Sequence, residues 1–119
     1  MEYMALIYAD EEGWESLSPA ERDGWMDRYA AFARDARAAG VMVNGDELAA
    51  SHDATTVRVR DGRTTVTDGP YAEVKEALGG YFVLECPTID EAVAWAARIP
   101  GAAHGAVEVR PVHVEAEEG

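Results

Sequence analysis

Apolar residues occupy both alternating faces of the opening run, with Tyr3, Ala5 and Ile7 on one side and Met4, Leu6 and Tyr8 on the other. A strand covered on both sides reads this way. An acidic loop containing Gly13 follows, and then Ser18-Pro19-Ala20-Glu21 supplies an N-cap, a proline at the first helical position and the glutamate of a capping box. Trp25, Tyr29, Phe32, Ala36 and Ala39 recur at helical spacing up to Gly40, which predicts an amphipathic helix whose aromatic residues are packing groups.

Val41 to Leu48 reads as a second strand. The stretch from Ala54 to Val66 reads as a hairpin, because Asp61-Gly62 joins two β-branched runs and favours a tight primed turn. Gly80 to Cys86 is the most strand-like run of the chain. Thr88-Ile89-Asp90-Glu91 repeats the capping pattern, and an apolar stripe of Ala92, Val93, Trp95, Ala96 and Ile99 is stopped by Pro100-Gly101. Val107 to Val114 alternates as a last strand.

The order β-α-β, hairpin, β-α-β is a weak internal duplication. Right-handed crossovers put both helices on one face of a mostly antiparallel sheet, an α+β architecture of the ferredoxin-like kind. The other face is then bare, and its apolar residues would form a larger patch than a soluble monomer normally shows. A second copy packed sheet to sheet covers it, so a homodimer closing a dimeric α+β barrel is expected. Residues 1–114 read as one domain and 115–119 as an acidic tail.

Composition narrows the partners. With 23 acidic against 10 basic residues and a formal charge of −13, the chain repels a phosphate backbone, so nucleic acid is not expected. The first residues lack a basic flank and meet acid at once, which fits neither a signal peptide nor a membrane span. Cys86 is the only cysteine; it can form no intrachain disulfide, reads as a buried inert thiol and fits a reducing, cytoplasmic compartment.

The stretch Val66-Thr67-Asp68-Gly69-Pro70-Tyr71-Ala72-Glu73-Val74-Lys75-Glu76, followed by Gly79-Gly80-Tyr81, resembles the signature of DGPF-motif proteins of the YCII-related family. Tyr71 stands where that motif usually has Phe and Val74 where it has Thr. The likeness continues through Asp90-Glu91-Ala92 and Trp95-Ala96 to the Val107–Val112 run, nearly the whole chain. It implies a ferredoxin-like protomer in a dimeric α+β barrel, usually bacterial, with no settled activity. Shorter relatives of this type carry a proposed His–Asp pair, the His early in the first helix and the Asp just before a Pro after the second. Here the first helix has no His and Ile99 precedes Pro100, so that pair is not carried over.

Two readings stay open for Asp68-Gly69-Pro70. It is a turn, with Gly and Pro fixing the backbone and the Asp side chain accepting from nearby N–H groups. Alternatively Asp68, Tyr71, Glu73, Lys75 and Glu76 gather at the mouth of a cleft, where Asp68 would serve as a general base if apolar walls desolvate it. Arg110 shares a strand face with Glu108, its expected ion-pair partner, and completes the polar lining of a small-molecule site in the barrel. A cofactor-free acid/base enzyme with Asp68 as base, or a regulatory subunit working through its acidic surface, are the alternative functions. His52, His104 and His113 sit in no metal-ligand spacing, and there is no Gly-rich phosphate loop, nucleophile elbow or Cys–His signal, so neither metal nor cofactor is expected.

Overall fold

The computed structural model describes residues 1–114. The acidic tail read over 115–119 lies outside the described residues. In chain order the elements are β1 (Glu2–Asp10), α1 (Glu11–Glu15), α2 (Pro19–Ala38), β2 (Met42–Glu47), β3 (Thr55–Arg60), β4 (Arg63–Asp68), β5 (Glu76–Glu85), α3 (Ile89–Ala96) and β6 (Ala106–Pro111), with single 3-10 turns at Ser51–Asp53 and Pro100–Ala103.

Local chemistry sets the helix ends. Ser18 Oγ accepts from the Glu21 amide at 3.1 Å while the Glu21 carboxylate accepts from the Ser18 amide at 3.0 Å, which closes the predicted capping box with Pro19 behind it. At the far end Gly40 takes φ 72°, and the amides of Val41 and Gly40 donate to the carbonyls of Ala36 and Arg37, a Schellman stop. Thr88 caps α3 through the Glu91 amide at 3.2 Å, and among the described residues only this half of the second box forms.

Four strands form one sheet in the order β2-β5-β1-β6, with antiparallel pairing at every step. β1 is therefore an inner strand, as its doubly apolar pattern requires. The connections through α2 and α3 each skip a strand, which is the ferredoxin-like α+β arrangement. Tyr3, Ala5 and Ile7 of β1 and Leu84 of β5 bury one sheet face against Phe32 and Ala36 of α2 and Ala92 and Ala96 of α3. Phe32 ties the layers together, 5.0 Å from the Phe82 ring and 6.3 Å from that of Trp95. Leu84 and Ile99 are 0% and 1% exposed, and full burial of such side chains contributes about 1.5–3 kcal/mol each.

Beyond strand ends that shift by one to three residues, as where β6 stops at Pro111 rather than Val114, four details differ from the sequence expectation. The acidic stretch after β1 is a short helix, because Asp10 caps it through the Glu12 amide at 3.0 Å and Glu11 and Glu12 suit its positive N-terminus. β5 begins at Glu76 rather than Gly80, since a bulge opposite Ile7/Tyr8 absorbs the two glycines that look like breakers. Val93 is half exposed: the buried line runs Ala92, Trp95, Ala96, Ile99, and a neighbour of Ala92 sits about 100° away round the helix. Trp25 lies outside the core cluster, edge-on to His104 at 4.8 Å and beneath the Arg28 guanidinium, because the first turns of α2 meet the Pro100–Ala103 turn rather than the sheet.

β3 and β4 pair only with each other, as a separate two-stranded ribbon. Asp61 and Gly62 take φ 51° and 74°, the primed geometry that the Asp-Gly pair predicts. The ribbon is tied at its root, where the Gly69 amide donates to Ala54 O at 2.7 Å and the Thr56 hydroxyl to Gly69 O at 2.9 Å. It leaves the protomer extended and flat: the radius of gyration is 16.7 Å, against about 13.5 Å for a compact domain of this length.

Candidate functional site

Both helices cover the face that carries Tyr3, Ala5 and Ile7, so the alternate residues of each strand point to the opposite, open face. There the strand register aligns two transverse rows. Asp46 stands opposite Tyr81, Tyr81 opposite Leu6, and Leu6 opposite Glu108, one residue from each of the four strands. The neighbouring row is Asn44, Val83, Met4 and Arg110. With strands about 4.8 Å apart, the ends of a row are about 14 Å from one another. The result is a half-buried apolar floor of Met4, Leu6, Tyr8 and Val83, with polar groups along both margins.

Each margin has its own chemistry. On one, the Tyr81 hydroxyl donates to Asp46 Oδ2 at 2.6 Å. That bond holds the phenol proton and, with the carboxylate's charge, pushes the Tyr81 pKa above its ordinary value. On the other, Arg110 Nη2 lies 2.6 Å from Glu108 Oε2, the ion pair expected from their shared strand face. The approach lacks hydrogen-bond alignment, so Glu108 Oε2 is shielded from water yet has no donor directed at it among the described residues. The Glu108 side chain is nonetheless 41% exposed, so the carboxylate as a whole stays open to a ligand donor on the floor.

The segment from Asp68 to Glu76 occupies different ground. Asp68 ends β4 and is exposed in the protomer. Tyr71 is 78% exposed beneath the Arg58 guanidinium, 5.1 Å from the ring centroid, and Glu73 is also exposed. Lys75 is brought against Asp10, Glu11 and Glu12, where with Val74 it lines a shallow open depression of about 400 Å³. Glu76 opens β5 opposite Asp10, whereas Arg110 lies opposite Met4, six residues back along β1. That separates them by about 20 Å. Of the residues singled out from sequence, Arg110 lies on the open face proper, while Lys75 and Glu76 lie at one end of the sheet and Asp68 and Tyr71 at the ribbon root.

Asp46, Tyr81 and Asn44 were not singled out by the sequence reading. The signal was present in the alternation of the Val41–Leu48 run, which places Asn44 and Asp46 on one face, but only the register shows that Tyr81 meets them. His104 stacks on Trp25, and His52 lies 3.5 Å from Asp53 in solvent. Cys86 is buried, and burial together with the nearby Glu91 and Glu85 carboxylates pushes its thiol up, away from the reactive thiolate. Among the described residues no helix is long and apolar enough to cross a membrane.

These features define an α+β protein of the ferredoxin-like kind whose open sheet face carries a polar-edged apolar floor. The family model of the YCII-related domain matches residues 1–115. An uncharacterized protein of Rhizobium meliloti (strain 1021) is 35% identical over 114 residues, covering 94% of this chain and 92% of that protein. The chain belongs to the YCII-related family.

Proposed function

We propose that this protein is a cytoplasmic homodimer that binds a small organic molecule between two open sheet faces. The carrying observation is the pair of aligned rows: an apolar floor about 14 Å across, edged by the Tyr81–Asp46 hydrogen bond on one side and the Glu108–Arg110 ion pair on the other. Small-molecule sites are apolar surfaces with a few convergent polar groups, and this face has that composition once a second copy excludes water from it. The partly exposed Glu108 carboxylate favours a ligand with an apolar body and a hydroxyl or amine donor. Asp68, Tyr71, Glu73, Lys75 and Glu76 stand at the approaches, as gate or guide residues rather than floor.

Thermal-shift screening against a panel of hydroxylated and amino metabolites, followed by calorimetry, tests this reading. Hits weakened at least about tenfold by Tyr81→Phe or Glu108→Gln, the order of one lost hydrogen bond, and less by Asp68→Asn, are expected. Ligands whose affinity ignores all floor substitutions would overturn it.

A further inference from the structure

The β3–β4 ribbon has two unlike faces: one is open, and the other meets Tyr71, whose ring lies beneath the Arg58 guanidinium. Register and alternation put Val57, Val59 and Val66 on one face, at 59%, 57% and 63% exposure. The other face carries Arg58, and Arg60 directly opposite Arg63. Like charges facing each other across a ladder destabilise it, and a free two-stranded ribbon is marginal in water to begin with. Three of the chain's ten basic residues are gathered here, on a protein of formal charge −13. Among the described residues the arginine ion pairs are Arg98–Asp35 and Arg110–Glu108, and the ribbon arginines join neither.

Area points the same way. The face of the four-stranded sheet covers about 500 Å² in plan, taking strands of 9, 10, 6 and 6 residues at about 3.3 Å per residue and about 4.8 Å apart. A stable pair buries about 800 Å² on each partner. The sheet alone thus supplies about three-fifths of what the homodimer proposed above requires. One ribbon face offers about 200 Å² more, and reciprocal exchange, in which each copy gives an arm and receives one, makes up the difference.

We propose that the β3–β4 ribbon is an intersubunit arm: its valine face lies on a second copy of this chain, and its arginines stand close enough to that copy's acidic surface to be attracted by it. This rests on the homodimer reading and adds a specific device to it. A guanidinium within a Debye length of the partner, about 8 Å at physiological salt, gains from the partner's charge without a fixed ion pair. Arg58, Arg60 and Arg63 against Asp61 and Asp68 leave the ribbon a net charge of +1 on a protein of −13: unlike charge draws arm to body, whereas body repels body.

The test is sedimentation velocity over a concentration series, at low and at high salt, on the full chain and two triple variants. Val57→Thr/Val59→Thr/Val66→Thr keeps β-branching, and Arg58→Gln/Arg60→Gln/Arg63→Gln removes charge; unchanged circular dichroism certifies the fold of each. The expected result is a dimer dissociation constant raised at least about tenfold in the valine variant, and in the arginine variant a weaker dimer that has lost most of its salt dependence. A wild-type dimer whose dissociation constant neither triple variant changes overturns the arm and leaves the homodimer standing. A wild-type chain sedimenting at 12.9 kDa throughout the series overturns both.

Discussion

Asp46 and Glu108 stand at opposite ends of one row across the four-stranded sheet, with Tyr81 and Leu6 between them. Two carboxylates spaced about 14 Å apart over an apolar floor do not repel each other appreciably beyond a Debye length. Each is instead defined by its own partner, a phenol on one side and a guanidinium on the other. The floor between them is where an organic ligand would find apolar cover and a polar group within reach at either end.

The phenol margin can be read by titration. Because Asp46 holds the Tyr81 proton, Asp46→Asn should bring the Tyr81 pKa down toward its ordinary value of 10.0. Tyrosinate absorbance against pH, with Tyr81→Phe to isolate the signal from the other tyrosines, measures it. An unchanged Tyr81 titration in the Asn variant would show that the hydrogen bond is not formed in solution.

Two glycines should respond in opposite directions. A side chain at Gly45 would run into the Phe82 ring, which is packed on Phe32, so Gly45→Ala should destabilise by about 1–3 kcal/mol through overpacking. Gly24 lies within α2 with open space around it, so Gly24→Ala should stabilise by about 0.5–1 kcal/mol. Urea unfolding of the two variants decides both.

The loop after β2 is fastened to the start of α1 by a carboxylate. Glu11 accepts from the Ser51 amide at 2.7 Å and from the Ser51 hydroxyl, and these bonds hold its pKa below the ordinary 4.5. A carboxyl depressed in the folded state adds stability above its unfolded pKa and loses it as pH falls through the folded value. The advantage of wild type over Ser51→Ala should therefore be full at pH 7 and shrink progressively below about pH 4.5. Thermal unfolding across that range provides the check; a difference that stays constant into strong acid would contradict it.

Core truncation sets the scale for these effects. Leu84 is wholly buried between β5 and the helices, and Leu84→Ala should cost about 2–5 kcal/mol, measured by chemical denaturation. Val66→Thr, on the exposed ribbon, should leave the stability of the protomer core within about 0.5 kcal/mol.

The order of elements was legible because its signals are local. Ser18 and Thr88 announce helices, Gly40 ends one, and Asp61-Gly62 turns the ribbon. Where local and non-local signals conflict, sequence reading falters: Gly79-Gly80 looks like a break, but pairing with β1 carries the strand through it by a bulge. The floor illustrates the same limit. Arg110 could be named because Glu108 lies two residues away on its own strand, but the Tyr81–Asp46 bond spans 35 residues and depends on register. A slip of one position would turn either residue toward the helices. The Asp68–Glu76 segment drew attention by density of charge, and density alone does not say which side of the sheet a loop reaches.

The most direct measurement of the central claim is hydroxyl-radical footprinting of the open face at dilute and at micromolar concentrations. Met4 and Tyr81 lie on that face, whereas Met26 is exposed on α2 and serves as the internal control. Protection of Met4 and Tyr81 that grows with concentration, while Met26 reacts at one rate throughout, is the predicted result. Met4 and Tyr81 oxidised at the same rate at every concentration would contradict the account.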